Sequence, residues 1–101
     1  MMTIAHYDLN EKMLNELIMM GKDTFSAQNW AYSNQNLVKN TYTSYGASPF
    51  QSISYYDANE NIIKEEMFFR REHTFEKEMI TQHIYNSSDE RIKSIKEMII
   101  T

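Results

Sequence analysis

The stretch Ile62 to Tyr85, IIKEEMFFRREHTFEKEMITQHIY, decides between a helix and a sheet. At 100° per residue its apolar members, among them Ile62, Ile63, Met67, Phe68, Phe69, Phe75, Met79, Ile80 and Ile84, spread around the whole wheel. That distribution fits only a helix buried on every side, and the interleaved charges forbid such burial. At two residues per period, one parity gathers Ile63, Met67, Phe69, Met79 and Tyr85. The other gathers Lys64, Glu66, Arg70, Glu78 and Gln82 with fewer apolar residues. Two antiparallel strands, turning between Glu72 and Glu76, are therefore predicted. Pairing Phe69 with Met79 and Arg70 with Glu78 joins apolar to apolar and charge to opposite charge, sets Glu65 opposite His83 and Ile63 opposite Tyr85, and places Ile53 and Tyr55 on the same face as Glu65 and His83.

Working outward, residues 41–56 are also strand-like. Thr41, Tyr42, Thr43 and Tyr45 are β-formers, Gly46 to Pro49 make a break, and Phe50 to Tyr56 resume. Asp57 to Asn61 reads as a turn, because Asp and Asn side chains bond their own backbone and tolerate positive φ. On the other side, Asn86 to Glu90 reads as a turn before a last strand. Ile92, Ile95 and Ile99 also have helical spacing, but an internal echo favours the strand. Tyr56-Asp57, a polar turn and Ile62-Ile63-Lys64 are echoed by Tyr85-Asn86, a polar turn and Ile92-Lys93. Two copies make a meander rather than a repeat architecture.

The N-terminal third reads differently. Asp8 and Glu11 have capping-box spacing, Leu9, Met13, Leu17 and Met20 recur at three- and four-residue steps, and Gly21 suits a left-handed helix end. A second helix is predicted from Asp23 or Thr24, with Ala27, Trp30, Ala31, Leu37 and Val38 on one side. The expected fold class is α+β, a single domain over 1–101 with helices at about 8–38 packed on a curved antiparallel meander at about 41–100.

The chain of 101 residues is long enough for one domain. Its 42% apolar and 13% aromatic content is that of a folded globule. A net charge of −4, with basic residues dispersed and only Arg70 and Arg71 adjacent, excludes a general nucleic-acid binder. Without cysteine there is no disulfide, thiol nucleophile or cysteine metal site, and His6, His73 and His83 have no spacing that joins two on one metal. No cofactor and no metal is therefore expected. With no phosphate-binding glycine loop, no signal-like run and no membrane-length apolar run, the expectation is a cytoplasmic protein that contacts no membrane. An excess of Phe, Tyr, Met, Ile, Asn and Lys over Gly, Ala, Arg and Pro reflects AT-rich coding and points to a bacterial or phage gene.

From Gln51 onward the order of strand, turn, long strand, turn, long strand and polar turn closes on Asp89-Glu90-Arg91-Ile92. This resembles the second half of SnoaL-like domains, a cone-shaped α+β family that often ends on an acidic turn and a "D-G-R-I" strand, here with Glu90 in place of the glycine. The resemblance covers about half the chain. It implies helices against a curved sheet and a ligand cavity between them, in a family of isomerases, cyclases, dehydratases and non-catalytic binders.

Three sets of residues are candidates for function. Glu65 and His83, facing each other in an apolar setting, are a candidate catalytic couple for proton transfer. Trp30, Tyr55 and Tyr85 are candidate ligand-lining aromatics, although buried aromatics are more often core. Tyr56, Ile62, Phe68, Ile80 and Ile84, set among charges on the outer sheet face, are a candidate interface, because monomers rarely expose such a patch. The primary expectation is a small non-catalytic interaction domain, an accessory or inhibitor protein that binds a protein partner through that face and forms a homodimer. The alternative is a SnoaL-like small-molecule binder or acid-base enzyme using Glu65 and His83.

Overall fold

The computed structural model describes residues 1–99, and among them there is no helix. The chain forms one open antiparallel sheet of eight strands. These are β1 (Met2–Tyr7), β2 (Met13–Met20), β3 (Asp23–Ser33), β4 (Asn36–Ser44), β5 (Phe50–Tyr56), β6 (Ile62–Arg71), β7 (Thr74–Tyr85) and β8 (Arg91–Met98). Their order in the sheet is their order in the chain. The meander expected after residue 41 is present, including the last strand; residue 100 of that expectation lies outside the described residues. The α+β class is overturned, since the segment read as helices at 8–38 supplies the first five-residue turn, β2, β3 and the start of β4.

The reason lies in which faces the apolar residues occupy. Leu17 pairs with Ile4 and Ala27, while its neighbour Ile18 pairs with Thr3 and Ser26 on the opposite face. A helix would need both on one stripe; a sheet open on two sides uses each. Thr24, Phe25, Trp30 and Tyr32 are β-branched or aromatic and prefer an extended backbone. The polar run at Ser33 to Asn36 is a two-residue hairpin turn, with Asn34 and Gln35 at φ 50° and 68°. Gly21 does take a left-handed conformation, φ 64°, but in the turn joining β2 to β3.

Three turns at one end of the sheet are copies of one another. In Tyr7-Asp8-Leu9-Asn10-Glu11-Lys12, Asp8 Oδ1 accepts from the backbone N–H groups of Asn10 (2.8 Å) and Lys12 (2.9 Å). Asp57 accepts in the same way from Asn59 and Asn61, and Asn86 from Ser88 and Glu90. Backbone bonds from Asp8 N–H to Lys12 O, Asp57 N–H to Asn61 O and Asn86 N–H to Glu90 O close each loop. The fourth turn residue, Glu11, Glu60 or Asp89, has φ 61° or 62° in every case. The echo read as two copies therefore has a third, and what resembles a helix cap at Asp8 and Glu11 is that turn.

A sheet in one layer has no interior. The molecule measures 47 × 42 × 17 Å. Among the described residues no hydrophobic side chain is buried, and the buried residues are Ser26, Thr43 and Glu66. Among the described residues the helix layer that the SnoaL-like resemblance implies is absent, and with it the cavity between helices and sheet.

Candidate functional site

Strand register assigns the site residues to two faces. On the first face Asn29, Thr41, Ile53, Glu66, Ile80 and Glu97 form one transverse row, flanked by Ala31, Lys39, Tyr55, Lys64, Gln82 and Ile95. On the second, Trp30, Asn40, Ser54, Glu65, Thr81 and Lys96 form a row, beside Gln28, Tyr42, Ser52, Met67, Met79 and Met98.

Glu66 is the hub of the first face. Its residue is only 4% exposed. The Tyr55 hydroxyl donates to Oε1 at 2.7 Å, Lys77 Nζ pairs with Oε2, and Lys64 Nζ lies 3.9 Å from the same oxygen. The lysine stems also cover the aromatics. Lys39 and Lys64 stand 5.6 and 5.3 Å from the Tyr55 ring centre, and Lys77 stands 5.6 Å from that of Phe68, within cation–π reach. Burial works to raise the Glu66 carboxyl, but the hydrogen bonds from Lys77 and Tyr55 and the charges of Lys77 and Lys64 outweigh it and hold the group below its ordinary value. The hydrogen bond to Glu66, helped by burial and the carboxylate charge, pushes the Tyr55 hydroxyl up to about 12. Every member of the cluster is thus satisfied, which is how a carboxylate persists under a half-covered surface.

The second face brings together Glu65 and His83. Their strands do not pair as expected. Met67 faces Met79 and Glu65 faces Thr81, two residues from the predicted register, with a bulge between Met67 and Phe68. An even shift preserves parity, so Glu65 and His83 still meet diagonally, with His83 Nε2 2.9 Å from Glu65 Oε2. His83 Nδ1 lies 2.7 Å from Ser94 Oγ on β8. A carboxylate only accepts, so the Glu65 contact takes a proton on Nε2, while the Ser94 hydroxyl can accept from Nδ1 or donate to it according to the form of the ring. The His83 side chain is 8% exposed and that of Glu65 45%. Next to this trio, Glu65, Met67, Met79, Thr81 and Lys96 border an open depression of about 160 Å³, which His83 does not line. Pockets that enclose small molecules usually measure several hundred Å³.

The aromatic trio is not assembled. Tyr55 belongs to the first face, whereas Trp30 is on the second and four strands away from β7, roughly 19 Å at the usual strand spacing. Tyr85 uses its hydroxyl structurally, donating to the Ile62 carbonyl at 2.7 Å. Of the interface residues, Phe68, Ile80 and Ile84 share the first face, while Tyr56 and Ile62 pair beside the turn at Asp57. The expectation that Ile53 and Tyr55 share a face with Glu65 fails, because Ile53 lies opposite Glu66. The Glu66 cluster itself was missed in the sequence. Its signal was Tyr55, Lys64 and Glu66 at alternate positions of two strands joined by a short turn, which a correct parity for β5 relative to β6 would have brought together.

Comparisons of the chain with protein-family models, with curated proteins and with solved structures give no match.

Proposed function

We propose that the chain is a non-catalytic protein-interaction domain whose partner binds the face carrying Phe68, Ile80 and Ile84. The observation that supports this is the single layer: large apolar side chains remain partly open on both sides of a sheet, and domains ordinarily bury such a face under a second layer. The same face presents Lys39, Lys64, Lys77 and Lys93 against Glu66 and Glu97. The partner that fits has an apolar centre with a carboxylate rim, and an accessory or inhibitor role is the class of function this implies. Affinity purification from the native host with wild type and with Phe68→Glu tests it. A partner retained by wild type and lost from the variant is expected; an unchanged partner set with both Phe68→Glu and Ile84→Glu removes this face from the reading.

A second reading rests on the Glu65, His83 and Ser94 alignment, whose two contacts have the lengths of a working proton relay. It is the weaker of the two because the depression beside the trio is open and is lined by Glu65 but not by His83 or Ser94. Equal turnover of an identified substrate by His83→Ala and wild type would remove it.

A further inference from the structure

Besides its faces, the sheet has two edges, and the repeat pattern specifies what fits them. Inside the molecule, two junctions between hairpins follow a five-residue turn, β2–β3 and β6–β7, and these two share a register; the third, β4–β5, follows the two-residue turn and pairs differently, Thr41 with Ile53. The residue three after the turn, Asn15 or Lys64, lies opposite the residue three before the next tyrosine, Asn29 or Gln82. Both junctions are also pinned by that tyrosine. Tyr32 donates its hydroxyl to the carbonyl of Met13 at 2.9 Å, and Tyr85 to that of Ile62 at 2.7 Å, the acceptor in each case being the first residue of the preceding strand.

Tyr7 occupies the same place before its own turn, but β1 is the edge strand of the sheet, and among the described residues no strand lies beside it for the hydroxyl to reach. The Tyr7 residue is 56% exposed, and among the described residues its hydroxyl has no partner. At the other edge, β8 is exposed along its whole length. The bond from Ile99 N–H to Glu78 O fixes its polarity: residues 93, 95, 97 and 99 turn their backbone groups to β7, and Ser94, Lys96 and Met98 turn theirs outward. On β1 the matching turn and the matching one-residue bulge, between His6 and Tyr7 as between Ile84 and Tyr85, leave Thr3 and Ala5 outward.

We infer that the β8 edge of one copy receives the β1 edge of a second copy, continuing the meander head to tail. The internal junction dictates the register: Lys93 opposite Ile4 of the second copy, Ser94 opposite Thr3 and Ile95 opposite Met2. In that register Ser94 and Thr3 are both outward-facing and exchange two backbone hydrogen bonds, and the Tyr7 hydroxyl reaches the Arg91 carbonyl as Tyr32 and Tyr85 reach theirs. Side-chain faces also remain continuous, since Lys93 and Ile4 lie on the first face and Ser94 and Thr3 on the second. No Lys or Arg stands on β1 to be repelled by Arg91, Lys93 and Lys96 of β8. The contact is heterologous, so it leaves a free edge at each end and grows rather than closing on a dimer.

The test uses proline on either edge, where the lost N–H makes no internal bond. The average mass of wild type in solution should rise with concentration without a plateau at the dimer. Ser94→Pro alone and Thr3→Pro alone should stay monomeric, and an equal mixture should give a dimer and nothing larger, because one protein keeps β1 and the other keeps β8. Because the chain has no cysteine, register is read separately: Ile95→Cys mixed with Met2→Cys should form an intermolecular disulfide readily, and Ile95→Cys mixed with Ile4→Cys should not. A wild type that is monomeric at every concentration overturns the inference. Self-association of Thr3→Pro alone overturns it in favour of β8 pairing with β8, and assembly unaffected by either proline overturns it in favour of face packing. The partner-binding reading is separable, since it depends on Phe68→Glu and not on either proline.

Discussion

Removing the charge at the hub of the first face should cost stability in a way that pH can switch. In Glu66→Gln the amide oxygen still accepts from Tyr55, but the bond loses its charge assistance, and hydrogen bonds to charged groups are worth about 1.5–3 kcal/mol against roughly 1 for neutral ones. Lys64 and Lys77 lose their partner. Their side chains are 40% and 37% exposed, so water takes over much of that role and each pair contributes about 0.2–1 kcal/mol. Relief of carboxylate burial offsets part of the loss. The net expectation at pH 7 is a destabilisation of about 1–2 kcal/mol, or about 4–8 °C in Tm for each kcal/mol in a domain of this size. Tyr55→Phe should cost a similar amount, and the double variant about 1 kcal/mol less than the sum. Because the folded carboxyl is held below its ordinary value of 4.5, its contribution is present above that pH and is lost as pH falls through the folded value. Tyr55 has the opposite sign: its hydroxyl is raised to about 12, so the stability it adds is present below pH 10 and disappears as pH rises through about 12. Urea unfolding followed by the single Trp30 reads both effects. The reasoning is refuted by a wild-type advantage over Glu66→Gln that is as large at pH 3 as at pH 7, or by strict additivity of the two variants.

The remaining predictions concern the turns and the second face. Asp57→Asn should be tolerated and Asp57→Ala should lower the urea midpoint, because Asn86 already performs the same role in the third turn. The Asp57 carboxyl is lowered chiefly by the backbone N–H of Asn61, so the amide shifts of Asn59 and Asn61 should move together only as pH falls below the usual carboxylate range. Glu60→Gly should stabilise the fold by up to about 1 kcal/mol, read as a higher urea midpoint, since a left-handed non-glycine residue is strained by about 1–2 kcal/mol and glycine returns part of that as chain entropy; an equal loss would mean that the Glu60 side chain holds the turn. His83→Ala should cost about 1–3 kcal/mol, because the imidazole is only 8% exposed and its packing is lost, while Glu65 and Ser94 can both turn to water. A larger loss in the same assay would mark the trio as a tightly built site.

The part of the fold that was legible in the sequence is the part where one parity is clearly more apolar. Between Ile62 and Tyr85 alternation outweighs helical spacing, and the strands follow. In Met13 to Met20 apolar residues occupy neighbouring positions, which a helix stripe and a two-sided strand can both accommodate. Asp8 and Glu11 have the same spacing in a helix cap and in the turn seen three times here. Only the fuller match, Tyr7-Asp8-Leu9-Asn10-Glu11 against Tyr56-Asp57-Ala58-Asn59-Glu60, separates the two. Glu65 and His83 were brought together despite a wrong register, because an error of two residues leaves side chains on the same face. The misassignment of Ile53 and Tyr55 was a parity error between β5 and β6, arising at the bulge between Tyr55 and Tyr56 that no sequence pattern announced.

A layer without a core must draw its stability from contacts between neighbouring strands, so the sum is shared unevenly along the sheet. The central strands β4 to β6 have a partner on each side and carry two of the three buried residues, Thr43 and Glu66. The turns after β5 and β7 are tied to each other as well, through Asn59 and Asn61 to the Asp89 carboxylate. Strands β1 and β8 have one neighbour each and should fray first. Adding the β1 edge of a second copy to β8 would supply the missing neighbour to both weak ends at once, which couples association to stability. The amide exchange of β1 and β8, and the Tm of the whole chain, should therefore depend on protein concentration in wild type and be independent of it in Ser94→Pro. Equal protection of β8 and β6 in the isolated monomer would contradict this, because it would mean that the edge needs no further strand.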